Sequence, residues 1–187
     1  HHASPRLHLL QRELLRELQA AGVPLLLVLE AIGEQDEPWV DAFLAGQADE
    51  WVLRERIRRR WPASWLDDAT LDSSHYRALL AFGRRHRLPV RGLEPTPRLP
   101  LAERDPRIVA RVRELAGAHP DRLVVVVVGQ AHLLGEGNVA AACGLPGLLL
   151  GGEPTPALLA AAPPRHAASD VLRSNGGIWW FAPLLAP

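Results

Sequence analysis

Apolar and polar positions follow two rhythms along this chain, and each rhythm predicts an element. From Leu7 to Ala21, leucines recur at 7, 10, 14, 15 and 18 with Arg and Glu between them, the spacing of an amphipathic helix. Ser4 and Pro5 give that helix a start and Gly22 a stop. Leu25 to Glu30 (LLLVLE) is a short unbroken apolar run, read as a buried strand that ends in a carboxylate. From Asp36 to Leu88 the helical rhythm returns. Trp39, Val40, Phe43 and Leu44 form one apolar face, Trp51, Leu53, Ile57, Trp61 and Trp65 belong to an Arg-rich second segment, and His75 to Phe82 form a third. Pro62 and Asp67-Asp68 mark breaks. Leu88 to Leu93 is a weaker strand before the proline-rich loop Glu94 to Pro100. Arg104 to Ala118 is a further helix, with Ile108, Val109, Val112 and Leu115 at helical spacing.

The strongest single signal is Leu123 to His132, LVVVVVGQAH. Branching at Cβ favours a strand, and a run without alternation implies burial on both faces, so it is expected to be a central parallel strand. Beyond it, Asn138 to Cys143 reads as a short helix and Leu145 to Leu150 as another strand. Gly176 to Phe181 reads as an edge strand closing a Pro-, Ala- and Gly-rich segment from about 151 to 187. The alternation predicts an α/β fold: a mostly parallel central sheet flanked by helices, with a helical cap inserted at about 36–87, in a single domain spanning 1–187.

Parallel strands collect their carboxyl ends on one edge, where ligands bind in open α/β sheets. Glu30 and His132 are therefore expected to be neighbours, and His2 and His8 flank the entry to the first helix. Three imidazoles and a carboxylate suit a divalent metal (Fe, Zn, Mn or Cu), or a base with its orienting partners, with Glu30 and His132 as the catalytic pair. His75, His86, His119 and His166 lie in polar text and are read as surface, and the six Trp residues as packing or cap surface.

Composition narrows the classes. Basic and acidic residues balance at 21 each, which leaves no bulk charge to recruit nucleic acid. Every basic residue is Arg. The single Cys143 excludes an internal disulfide framework. No apolar stretch is long enough for a transmembrane segment, and no signal peptide is evident. The leading His1-His2 can be read as a tag remnant or as part of a motif.

The motif reading has support further along. His2-Ala3-Ser4-Pro5-Arg6-Leu7-His8, an H-x-x-P-x-x-H followed by Leu9-Leu10-Gln11, resembles the opening of the ChaN-like family of haem-binding uptake proteins. Glu30, Trp39 to Gly46, Tyr76 to Leu80, Leu88-Pro89-Val90, Pro97-Arg98 and the G-x-x-H of Gly129 to His132 follow in the family's order. The resemblance covers about residues 1 to 150 and places the superfamily of Tiki and TraB proteins and erythromycin (EreA-like) esterases around this chain. It implies a Gly-Glu-x before the first histidine, so that a Gly-Glu and its strand are expected upstream of residue 1. It also implies haem or iron as cofactor, with Tyr76 as candidate ligand beside the pocket histidines, a possible homodimer, and a bacterial cell-envelope location as a lipoprotein. The same pocket in a Tiki-like or esterase-like relative would make a metal-dependent hydrolase, or an oxidase, acting on a peptide or ester. A partner-binding domain with structural histidines is the remaining reading.

Overall fold

The computed structural model describes residues 5–60, 66, 73–95, 99–129, 132–133, 139–145, 147–150, 171–173 and 178–181. Helix α1 (Pro5–Ala20) ends where the sequence places its stop. Gly22 takes a left-handed φ of 73°, and the Val23 N–H reaches back to the Leu18 carbonyl at 3.0 Å, a Schellman-type closure that turns the chain into strand β1 (Leu25–Gly33). Helices α2 (Glu37–Leu44), α3 (Glu50–Arg60) and α4 (Ser73–His86) follow. The Asp49 carboxylate caps α3 by accepting the Val52 N–H at 2.9 Å. Strand β2 (Val90–Glu94), helix α5 (Leu101–Ala118) and strand β3 (Leu123–Val127) come next, then the short helix α6 (Val139–Ala142) and strands β4 (Gly147–Leu150), β5 (Val171–Arg173) and β6 (Ile178–Phe181).

The first three strands form a parallel sheet in the order β2-β1-β3. Residues of β1 alternate between two cores. Leu25, Leu27 and Leu29 pack with Leu15 of α1, Val40 of α2, Leu53 and Ile57 of α3, and Leu79 and Leu80 of α4. Leu26 and Val28 pack on the opposite face with Ile108, Val112 and Leu115 of α5 and Val139 of α6. The helical segment between β1 and β2 is thus a side layer over one face, and α5 covers the other. Crossovers on opposite faces carry the chain to opposite sides of β1, which the right-handed crossover rule requires. This is an α/β fold.

The central strand is β1, not the valine run. All nine residues of β1 are buried, whereas β3 begins with an exposed Leu123 and, among the described residues, pairs only with β1. The valines are uniformly apolar because they feed both cores, Val125 and Val127 one and Val124, Val126 and Val128 the other. An unbroken apolar run reports coverage of both faces and says nothing about the edges. The strand read as ending at Glu30 also continues through Ala31 and Ile32, because a register shift between Leu29 and Gly33 turns Ile32 to the first core. In a second sheet β4 runs parallel and β5 antiparallel to β6, so Ile178–Phe181 is the middle strand rather than an edge. Strand β5 lies in a segment with no strand signal. Trp51, in the Arg-rich second segment, is 66% exposed. Pro62, Trp61, Trp65, Asp67-Asp68 and His166 lie outside the described residues.

Candidate functional site

Among the described residues, and apart from Asp36, which accepts the Gly33 N–H, the buried polar side chains fall into two groups. The first gathers at the carboxyl ends of the strands. Glu30 shares the parity of Leu26 and Val28, so it faces α5, and its Oε2 accepts the Gly129 N–H at 2.6 Å, joining the ends of β1 and β3. Its Oε1 accepts a hydrogen bond from His132 Nε2 at 3.1 Å. The other ring nitrogen, Nδ1, bonds Asp105 of α5. Arg104, the neighbouring residue on α5, donates to both carboxylate oxygens of Glu94 at 3.2 Å and stands 3.7 Å from Glu30. All five side chains are buried.

Charge governs this cluster. Burial pushes the Glu30 carboxyl up, but the hydrogen bonds from His132 and Gly129 and the charges of His132 and Arg104 outweigh it and hold the group below its ordinary value. Burial pushes the His132 imidazolium down, and the Glu30 and Asp105 carboxylates outweigh that and raise it. Two carboxylates against two ring nitrogens define an imidazolium that donates twice.

The pH dependence of stability follows. With its folded value raised, His132 contributes fully below its ordinary 6.5 and loses that contribution as pH climbs through the raised value. With its folded value lowered, Glu30 contributes fully above 4.5 and loses that contribution as pH falls through the lowered value. Both act together between those ordinary values. Melting temperatures across pH are expected to show an alkaline decline in wild type that is smaller in His132→Gln. An unchanged alkaline decline in the variant would assign it to other groups.

The second group lies at the seam of α1 and α4. His8 stacks face to face on His75, with ring centroids 3.9 Å apart and planes within 5°. Tyr76 meets the His75 ring edge-on at 5.3 Å. His8 is 4% exposed and His75 is 0% exposed, so His75 is a core residue and not the surface residue its polar neighbours suggest. The physical reason is helical phase: His75, Tyr76, Leu79, Leu80 and Gly83 share the buried face of α4. His86 and His119 are half-buried.

The four-ligand metal set of His2, His8, Glu30 and His132 is therefore distributed. His2 lies outside the described residues, His8 joins His75 and Tyr76, and Glu30 and His132 bond each other. Among the described residues, no group of three or more His, Cys, Asp or Glu side chains is disposed to hold a metal ion. Sequence reasoning missed Glu94, Arg104, Asp105 and His75. Glu94 carried a usable signal, since it follows the weaker strand Leu88 to Leu93 as a carboxylate, just as Glu30 follows the apolar start of β1.

A parallel sheet between helical layers, with a buried imidazole and carboxylates gathered at the strand ends, defines an α/β domain. The family model described as haem-binding uptake, Tiki superfamily, ChaN matches residues 1–100 of the 187, and the chain belongs to that family. Neither the curated proteins nor the solved structures yield a significant match. No helix among the described residues is long and apolar enough to cross a membrane.

Proposed function

We propose that this protein binds haem through the group at the α1–α4 seam, with Tyr76 as the iron ligand and His8 and His75 beside it. The observation that carries this reading is the gathering of His8, His75 and Tyr76 in one place, all within the family match of residues 1–100. Phenolate and imidazole are both established haem-iron donors. A phenol must lose its proton to become an anionic ligand, and an adjacent imidazole is a suitable acceptor for it. The iron would supply the affinity for an axial anion, and the helices an apolar setting for the macrocycle.

The strand-end pair fits ligation less well. His132 has both nitrogens engaged by carboxylates, so it offers a lone pair only after losing one partner and a proton. The alternative, a metal-dependent hydrolase or oxidase using His2, His8, Glu30 and His132, carries that cost, and the same commitment weighs against His132 as a general base. On this reading Glu30 and His132 tie β1, β3 and α5 together.

Titration of the full chain with ferric haem, followed by absorption, tests the reading. Saturation near one haem per chain is expected. A chain that develops no saturable haem band, and instead carries one equivalent of a bare transition metal when purified without added cofactor, would replace haem binding with the metalloenzyme alternative.

A further inference from the structure

One helical turn along from His8 and His75, at Arg12 and Leu79, an apolar groove of about 270 Å³ lies along the α1–α4 seam. Leu9 and Leu15 of α1 and Leu79 and Phe82 of α4 line it, and Arg12 and Arg16 stand among them. Leu9 is 49% exposed, an open apolar side chain at the groove. Residues 12 and 16 are one helical turn apart and lie on the same face of α1. Arg16 also pairs with Glu13 on its own helix, an exposed contact of little energetic weight.

We infer that this groove seats the edge of the haem macrocycle and that Arg12 and Arg16 receive its two propionates. The inference rests on the haem reading above and deepens it. Three features favour this occupant. The groove is apolar with an aromatic ring, which suits a flat conjugated body. Its volume falls just below the usual range of small-molecule pockets, so it encloses part of such a ring and leaves the rest outside. Its cations come as a pair, and a guanidinium is the side chain best shaped to hold a carboxylate. A fatty acid brings one carboxylate to two arginines. A second copy of the chain, packed isologously, would bring arginines against arginines.

The test compares ferric haem with its dimethyl ester, which keeps the iron and the ring but has no carboxylates. The wild-type chain is expected to bind haem at least about tenfold more tightly than the ester, the size of one charge-assisted hydrogen bond. Arg12→Glu/Arg16→Glu is expected to abolish that preference while leaving ester affinity within a few-fold, with an unchanged melting curve. Arg12 is half-buried and Arg16 exposed, and neither belongs to the core, so the variant should fold. A double variant that keeps the full preference overturns this inference and leaves the haem reading standing. If wild type binds neither compound, the haem reading itself fails. Groove occupancy by oleate with no competition from haem, or a dimer lost in the double variant without a change in haem preference, would assign the groove to a lipid or to a second copy and overturn the inference.

Discussion

Glu30→Ala is expected to lower stability by about 3–5 kcal/mol, the cost of removing one partner from a buried charged network. Three groups lose at once. The Gly129 N–H loses its acceptor, His132 Nε2 loses its carboxylate and keeps only Asp105, and Arg104 loses a nearby carboxylate and keeps only Glu94. The magnitude comes from that abandonment and not from the net worth of the ion pair, which desolvation largely offsets. For a chain of this size the corresponding fall in melting temperature is about 10 °C. Because Glu30 and His132 are in contact, their effects should be non-additive, with the Glu30→Ala/His132→Gln double variant recovering part of the loss. Denaturant unfolding of the four species checks this. A single-variant loss below about 1 kcal/mol would mean that the cluster is solvated or loosely held, and the role of His132 as a structural tie would fall.

Gly92→Ala is the second large effect, and its cause is different. Gly92 lies in β2 opposite the register shift of β1, where a Cβ would sit 2.5 Å from the Gly33 carbonyl carbon and oxygen and 2.8 Å from the Glu34 nitrogen. These are backbone atoms, so no side chain can swing away. The Gly92 N–H is also held at 2.9 Å by Glu37 at the start of α2, and that carboxylate in turn accepts from Arg111 of α5 at 2.6 Å. Relief of the clash must therefore spread into both helical layers. A loss of about 3 kcal/mol, at the upper end for overpacking, is expected. Two other glycines serve as controls. At Gly83 a Cβ would meet the Val90 Cγ2 at 2.8 Å, a side-chain atom with some room to yield, so the loss should be smaller. At Gly117, in α5, a Cβ would meet nothing within 4 Å, and alanine should stabilise by up to about 1 kcal/mol. Thermal melts of the three alanine variants should rank in that order. An inverted order would contradict the tight approach of β1 and β2.

Much of the frame is legible in the sequence because local physics and tertiary packing agree in it. Leucine spacing marks α1, the apolar run marks β1, and the five valines mark β3, each within a few residues of the observed bounds. Strand order is not legible, since apolarity reports which faces are covered and is silent about edges. The valine run therefore looks central when Leu25–Gly33 holds that place. The meeting of Glu30 and His132 follows from strand polarity alone. Their further partners do not. Asp105 and Arg104 reach the site from the first turns of a helix, where they continue the stripe of Ile108, Val109, Val112 and Leu115 towards the sheet, but as charged residues they read as solvent-facing. His75 reads as surface because its flanking Ser and Arg residues are polar, while its helical phase buries it. Its stacking on His8 links residues 67 positions apart and requires the packing of α1 on α4.

That stacking sets the central claim, that haem is held at the α1–α4 seam through Tyr76 and not at the strand ends through His132. The most direct measurement is the absorption spectrum and affinity of the ferric haem complex in Tyr76→Phe beside His132→Gln. Tyr76→Phe is expected to change the spectrum and weaken binding by about tenfold or more, the loss of one strong iron–ligand contact. His132→Gln is expected to leave the spectrum unchanged despite lowering stability. A spectrum altered by His132→Gln and untouched by Tyr76→Phe would contradict the claim and return the cofactor to the strand ends.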